Sequence, residues 1–277
     1  MTLLREIVGS KARRRRAAFI PYITAGDPFL AGTGRFVRAL ARAGADVVEL
    51  GVPFSDPIAD GPVNQRAAER ALASGTTLAS ILERSRGWFS APASPAPVLF
   101  TYLNPLLRMG LRTFTRRAKA AGIRGVLTVD LPPEEAGEYR RALAAAGLET
   151  VFLASPTTSP ARLKAVAAAA TGFVYYVSRL GVTGTSATVS RTLEAEVRRV
   201  RRAVGKPIAV GFGISTAEQA GEVGRFADGV VVGSALVRLI ERNPPKTAEK
   251  KIERLAGQMV AALEGNFEFM SNDSPGA

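Results

Sequence analysis

Short apolar runs separated by amphipathic stretches recur along the whole of this chain. The runs are AFIPYIT (18–24), DVVEL (46–50), PVLFTY (97–102), GVLTVD (125–130), ETVFLA (149–154), FVYYVS (173–178), PIAVGF (207–212) and GVVVGS (229–234). Each is nearly continuous in hydrophobicity, as a strand buried on both faces requires, and most lead into helical patterns such as EEAGEYRRALAAAG or SPARLKAVAAAA. No hairpin signal joins neighbouring runs, so the strands are expected to be parallel with helical crossovers. Eight such units predict a single (β/α)8 barrel of the α/β class, near the roughly 250 residues usual for that architecture. A doubly wound open sheet is the alternative. Extra helices are expected before the first strand (about 2–9), at TLASILERSRGWF (77–89) before the third, and in two segments after the eighth. One domain is expected over 1–265, with no dividing linker. Residues 266–277, NFEFMSNDSPGA, have no periodic apolar face after Phe269 and are expected to form a disordered tail.

Composition narrows the chemistry. The 277 residues are 47% hydrophobic and 7% aromatic, which fits a compact folded chain rather than a disordered one. No apolar run reaches the roughly 18 to 20 residues that span a bilayer, and the N-terminal MTLLREIVGSKARRRR lacks the apolar core of a secretory signal. The expected location is the cytoplasm. The chain has no cysteine and no histidine, so disulfides, thiolate nucleophiles, Ser-His-Asp triads and histidine-ligated metals are excluded, and no metal site is expected. Chemistry must rest on carboxylates, hydroxyls, lysine, arginine or backbone groups.

A net charge of +13 raises nucleic acid as a partner. The excess is spread as arginine along helical segments such as RTFTRRAKAAG and EVRRVRRAVGK, without aromatics placed as a stacking platform, which favours solvated helical faces over nucleic-acid binding. KARRRR (Lys11 to Arg16) stands as a candidate anion or partner patch.

In a barrel of this kind the site forms at the C-terminal ends of the strands. Those ends offer Glu49, Tyr102 and Asn104, Asp130, Tyr175 and Ser178, Gly211 and Gly213, then Gly233 and Ser234. Glu49 sits among Val47, Val48 and Leu50; pointing into the mouth, it would have its pKa raised by desolvation towards neutrality and become a poised proton donor and acceptor. The other reading is an outward glutamate paired to a helix arginine. The loop that follows, GVPFSDPIADGP, restricts its backbone with Pro53, Pro57 and Pro62 and keeps Gly51 and Gly61 as hinges. Asp60, eleven residues beyond Glu49, can reach back across the mouth and balance positive charge appearing on a ring nitrogen. For Asp56 and Asp60 the alternative is turn capping beside proline and glycine.

Glycines form a second group, in SRLGVTGTS (178–186), GFGIST (211–216) and VVVGSALV (230–237). Backbone N–H groups left free near helix starts predict a phosphate site there, with plain turn chemistry as the alternative. The seven lysines, Lys11, Lys119, Lys164, Lys206, Lys246, Lys250 and Lys251, all fall away from strand C-terminal ends, so no Schiff base is expected. Carbon–carbon cleavage here would rest on carboxylates acting on a substrate that supplies its own electron sink.

Several segments together resemble the α subunit of tryptophan synthase: PYITAGDP (21–28), VVELGVPFSDPIADGPVNQRA (47–67), TYLNPLLRMG (101–110), GVLTVDLPPEEA (125–136), YYVSRLGVTGT (175–185), VGFGIS (210–215) and ADGVVVGSALV (227–237). The resemblance, over roughly residues 1–265, implies a TIM barrel that cleaves indole-3-glycerol phosphate to indole and glyceraldehyde 3-phosphate, a retro-aldol step of tryptophan biosynthesis. By that resemblance Glu49 is the acid/base and Asp60 holds the indole N–H. Protonation at indole C3 gives the indolenine tautomer, the missing electron sink. The family's phosphate site falls on Gly184, Gly213, Gly233 and Ser234. Tyr175 stands beside the catalytic glutamate, Thr183 is the closing-loop residue that contacts the loop aspartate, and Tyr22, Phe100 and Phe212 pack around the indole ring. Tyr102, at the end of the third strand, is taken with them as a substrate-binding candidate.

The resemblance also implies no cofactor in this chain, with pyridoxal phosphate expected only in a β-subunit partner, in an α2β2 tetramer. Asp56, Pro57, Asn104 and Pro132 fall in segments facing that subunit. Met109 stands where many relatives carry an aromatic, Leu180 follows Arg179 where alanine is common, and the charge of +13 is unusual for the family. None of these removes a catalytic group. Two further readings stay open: a stand-alone indole-3-glycerol phosphate lyase releasing free indole, and a barrel acting only as a binding or allosteric subunit.

Overall fold

The computed structural model describes residues 3–10, 16–91, 93–178, 186–211 and 213–265; the side chains of 186–191 are excepted. Eight strands, β1 (Ala18–Thr24), β2 (Val47–Gly51), β3 (Ala96–Thr101), β4 (Gly125–Thr128), β5 (Glu149–Ala154), β6 (Val174–Val177), β7 (Ile208–Gly211) and β8 (Gly229–Val232), close in sequence order into one barrel. Neighbours are parallel throughout, and β8 returns to β1 with Val230 opposite Phe19. The open-sheet alternative is thereby excluded.

A period of two along each strand divides the core. Phe19, Val48, Leu50, Leu99, Phe152, Tyr176 and Val210 point outward and pack under the helices. Ala18, Ile20, Val47, Val98, Leu127, Val151, Ala209 and Val231 point inward and fill the barrel. The alternation that sends Val48 and Leu50 outward sends Val47 and Glu49 inward, and Glu49 is 0% exposed.

The N-terminal end of the barrel is plugged. Helix α1 (Leu4–Gly9) inserts Leu4 and Val8 into the interior cluster beside Ala18, Val151 and Ala209. Its first N–H, on Leu4, donates to the carboxylate of Glu149 at the start of β5, a favourable charge at a helix N-terminus. Arg16 lies at the same end, bonded to Asp46 at 2.6 Å and to Glu264 at 3.4 Å. That member of KARRRR is therefore spent on the fold; Lys11 to Arg15 lie outside the described residues.

The outer helices are α2 (Leu30–Arg42), α3 (Pro62–Ala73), α4 (Leu78–Trp88), α5 (Leu103–Met109), α6 (Leu111–Ala120), α7 (Gly137–Ala146), α8 (Pro160–Ala169), α9 (Ser186–Val204), α10 (Ala217–Phe226), α11 (Ser234–Glu241) and α12 (Pro245–Leu263). Thr77, Ser159 and Thr216 cap the starts of α4, α8 and α10 through their side chains. The expected extra helices are present as α1, α4, α11 and α12. Among the described residues no helix is long and apolar enough to cross a membrane.

Several strands stop one or two residues short of the apolar runs. The reason is the splaying of the chain at the C-terminal mouth, where residues leave the ladder to make other bonds. Asp130 accepts the N–H of Leu103 at 2.8 Å, Ser178 donates its hydroxyl to the carbonyl of Gly211 at 3.1 Å, and Ser234 enters α11.

Candidate active site

The C-terminal mouth holds a cavity of about 320 Å³. Each strand, or the loop after it, contributes to the wall: Tyr22, Glu49, Phe100, Val129, Leu153, Tyr175 with Val177, Gly213 with Ile214, and Val231 with Gly233 and Ser234, in the order of β1 to β8. The loop after β2 adds Asp60, Asn64 at the start of α3 adds an amide, and Arg238 of α11 adds a guanidinium.

Glu49 is the chemical centre of this wall. Both of its carboxylate oxygens are buried and have no hydrogen-bond partner among the described residues. A charge in that position has nothing to stabilise it, and burial pushes its pKa from 4.5 up to about 8. The outward, arginine-paired reading of Glu49 is thus overturned. Its neighbours in register are Tyr22 of β1 and Val98 of β3. Tyr22 meets Phe100 edge-on with ring centroids 5.1 Å apart, so two aromatics form one side of the cavity.

Room for the tyrosines comes from glycines at the ends of strands. A methyl group on Gly51 would lie 2.2 Å from the Tyr22 hydroxyl, and one on Gly211 would lie 2.3 Å from that of Tyr175. Burial, first of all, raises the pKa of both phenols, so they stay protonated and act as neutral donors.

Asp60 is held from the side of its own loop. Its carboxylate accepts the Tyr102 hydroxyl at 2.8 Å, while that hydroxyl accepts the N–H of Ala59 at 3.0 Å. The backbone carbonyl of Asp60 accepts the Gln65 amide at 2.8 Å. Desolvation moves the Asp60 pKa upward, and hydrogen bonds from Tyr102 and Asn64 oppose it. Asp60 is therefore a cavity group rather than a turn cap. Tyr102 is not on the cavity wall: it packs against Phe54 at 5.0 Å and stands behind Asp60. Its expected place against the substrate becomes a place against the aspartate.

At the far side, Gly213 adopts φ +88°, a left-handed conformation open to glycine, and Gly233 is the N-cap of α11. The first N–H groups of a helix have no intrahelical acceptor, so the start of α11 faces the cavity with donors available to an anion. Asp130 and Ser178 take no part in the wall, being used as a cap and a strand tie. Thr183, Gly184 and Phe212 lie outside the described residues. The wall also contains Val129, Leu153, Val177, Ile214, Val231, Asn64 and Arg238, none of which was singled out from the sequence.

A sequence model of the tryptophan synthase alpha chain matches residues 9–264. The chain belongs to the tryptophan synthase alpha chain family. It is 51% identical over 248 residues to the tryptophan synthase alpha chain of Solibacter usitatus, covering 90% of this chain and 92% of that one. The crystal structure of tryptophan synthase subunit alpha from Legionella pneumophila superposes with a TM-score of 0.87 at 37% identity, over 96% of this chain and 99% of that one. A structure of Mycobacterium tuberculosis tryptophan synthase gives 0.84 at 36% identity, over 94% and 98%.

As a member of this family, the protein is a lyase that cleaves indole-3-glycerol phosphate in tryptophan biosynthesis. Asp56 and Asn104 are exposed and Pro57 and Pro132 half-exposed at the cavity end of the barrel, outside the wall. Ile58 and Leu107, 87% and 54% exposed, stand in the same two loop regions.

Proposed function

We propose that Glu49 and Asp60 carry the cleavage between them, Glu49 as acid and base and Asp60 as the counter-charge to the indole ring. A carboxyl with a pKa of about 8 holds its proton at neutral pH and can deliver it to indole C3. The ring then carries positive charge at N1, and the Asp60 carboxylate is the acceptor for that N–H. The resulting Glu49 carboxylate takes the proton of the glycerol hydroxyl on the carbon attached to the ring. The electrons of the C–C bond return to the ring as the aldehyde forms. Indole and glyceraldehyde 3-phosphate leave, and Glu49 has regained its proton, so the cycle balances.

Tyr22 and Phe100, packed edge-to-face on the cavity wall, supply an aromatic surface for an indole, and Tyr175 borders Glu49 as a neutral phenol. Gly213, Gly233 and Ser234, with Gly184, are assigned to the phosphate. Thr183 and Phe212 keep the family assignment given by their sequence positions. The chain itself needs no cofactor in this reaction; pyridoxal phosphate belongs to the β subunit. The loop surface carrying Asp56, Pro57, Asn104 and Pro132, with Ile58 and Leu107 beside them, is the face we assign to that subunit, in an α2β2 assembly in the cytoplasm.

The observation that supports this reading most is the unpartnered, fully buried Glu49 carboxylate on the wall it shares with Asp60. The experiment is indole release from indole-3-glycerol phosphate by the wild type and Glu49→Gln, each alone and with a β subunit of the same source. Weak activity alone, a large rise on adding β and near-complete loss in Glu49→Gln are expected. Substantial turnover by Glu49→Gln would overturn its role, and strong activity alone with no rise would establish a free lyase.

A further inference from the structure

Arg238 is the only cationic side chain on the cavity wall among the described residues. It lies one turn into α11 from Ser234, and its Nη2 is 3.4 Å from the Ser234 hydroxyl oxygen. Long helical side chains lean towards the helix N-terminus, and Arg238 follows that rule, laying its guanidinium over the first turn of α11. No carboxylate pairs with it among the described residues. Glu241, the acid on its own helix, is instead bonded to Arg66 at 2.7 Å and to Arg70 at 3.1 Å. The acids on the cavity wall, Glu49 and Asp60, come from β2 and its loop.

Among the described residues, this half-buried guanidinium has one long contact to a neutral hydroxyl, which leaves most of its five donors unused and no counter-charge. It lies beside Gly233 and Ser234, where helix N–H groups already favour an anion. Those neutral donors offer only partial charge, about half a unit for a whole helix end. A phosphate monoester carries up to two negative charges. A full positive charge in a planar fork is the complement that the N–H groups lack.

We propose that Arg238 is a phosphate-binding residue, whose guanidinium closes on the substrate's phosphate opposite the N–H groups of Gly213, Gly233 and Ser234. The inference rests on the proposed indole-3-glycerol phosphate site and adds the charged member of its phosphate end. It also fixes orientation. The anionic end of the ligand is drawn to α11, which leaves the ring between Tyr22, Phe100 and Asp60. Because the phosphate lies away from the bond that breaks, this contact acts on binding more than on the chemical step.

The test compares wild type, Arg238→Lys and Arg238→Gln as complexes with the β subunit, after confirming equal thermal midpoints. Kinetics on indole-3-glycerol phosphate are read beside calorimetric titrations with glycerol 3-phosphate and with indole. For Arg238→Gln the KM and the glycerol 3-phosphate Kd should rise about tenfold or more, a charge-assisted bond being lost, with kcat nearly unchanged and indole affinity unaltered. Arg238→Lys should fall between. Unchanged KM and Kd in Arg238→Gln would overturn the proposal, as would equal weakening of glycerol 3-phosphate and indole. A wild type that binds glycerol 3-phosphate through Arg238 but turns nothing over would sink the lyase reading and leave the phosphate site standing.

Discussion

The Tyr102 hydroxyl donates a 2.8 Å hydrogen bond to the Asp60 carboxylate, from behind the cavity wall. The same oxygen accepts the Ala59 N–H, and the ring packs on Phe54, so one phenol ties β3 to the loop after β2 in both side chain and backbone. Asp60 is thereby aimed before any substrate arrives, which is how a carboxylate on a loop can act as a fixed counter-charge.

Tyr102→Phe keeps the ring and removes the donor. A hydrogen bond to a charged group contributes about 1.5 to 3 kcal/mol, so kcat/KM should fall roughly ten- to hundredfold, with a smaller effect on stability. Since that bond holds the Asp60 pKa down against desolvation, its loss should also move the acid limb of the pH–rate profile to higher pH. Steady-state kinetics from pH 5 to 9 check both; an unchanged acid limb would separate Tyr102 from Asp60.

Glu49 sets the other limb. It must be protonated to deliver the first proton, so kcat/KM should decline as pH rises through about 8. Stability has the same sign. Between the ordinary 4.5 and about 8 the folded chain keeps a proton that the unfolded chain has released. The stability contributed by the protonated Glu49 is fully present below 4.5 and is lost as pH rises to about 8, at up to about 1.4 kcal/mol per pH unit. Glu49→Gln should abolish that slope. Urea unfolding of both proteins at pH 5, 7 and 9 should show the variant gaining on the wild type as pH rises.

How much of this was readable beforehand follows from which features are periodic. Strands buried on both faces give continuous apolar runs, and eight of them without hairpin signals leave few topologies, so the barrel was legible. Glu49 was legible because a charged residue interrupts such a run. Tyr102 is legible as a strand-end residue, but its bond to Asp60 is not, because a loop's path depends on tertiary contacts that spacing does not encode. Arg238 carried no signal at all. It is one of 37 basic residues, in a helix where arginine is ordinary, and only the direction of α11 aims it into the cavity. The missed apolar members, Val129, Leu153, Ile214 and Val231, look in sequence like any other core positions.

The last prediction concerns Asp27, which follows β1 and is 0% exposed. Its two oxygens accept from Arg70 of α3 at 2.7 and 2.8 Å, and Arg70 continues to Glu241 of α11 at 3.1 Å. The chain of charges thus joins three elements that surround the mouth, two of them carrying cavity residues. Burial pushes the Asp27 pKa up and Arg70 pulls it back. Arg70→Met leaves the carboxyl buried without its counter-charge, a change that costs about 3 to 5 kcal/mol. Asp27 would then fold as the neutral acid, and the variant should lose further stability as pH rises, because its raised pKa favours the folded state only while the proton is bound. Asp27→Asn combined with Arg70→Met removes both charges and should recover part of the loss. Urea unfolding of the single and double variants at pH 5 and 8 measures the coupling directly. Strict additivity of the two substitutions would mean that the bidentate contact contributes nothing to holding the mouth together.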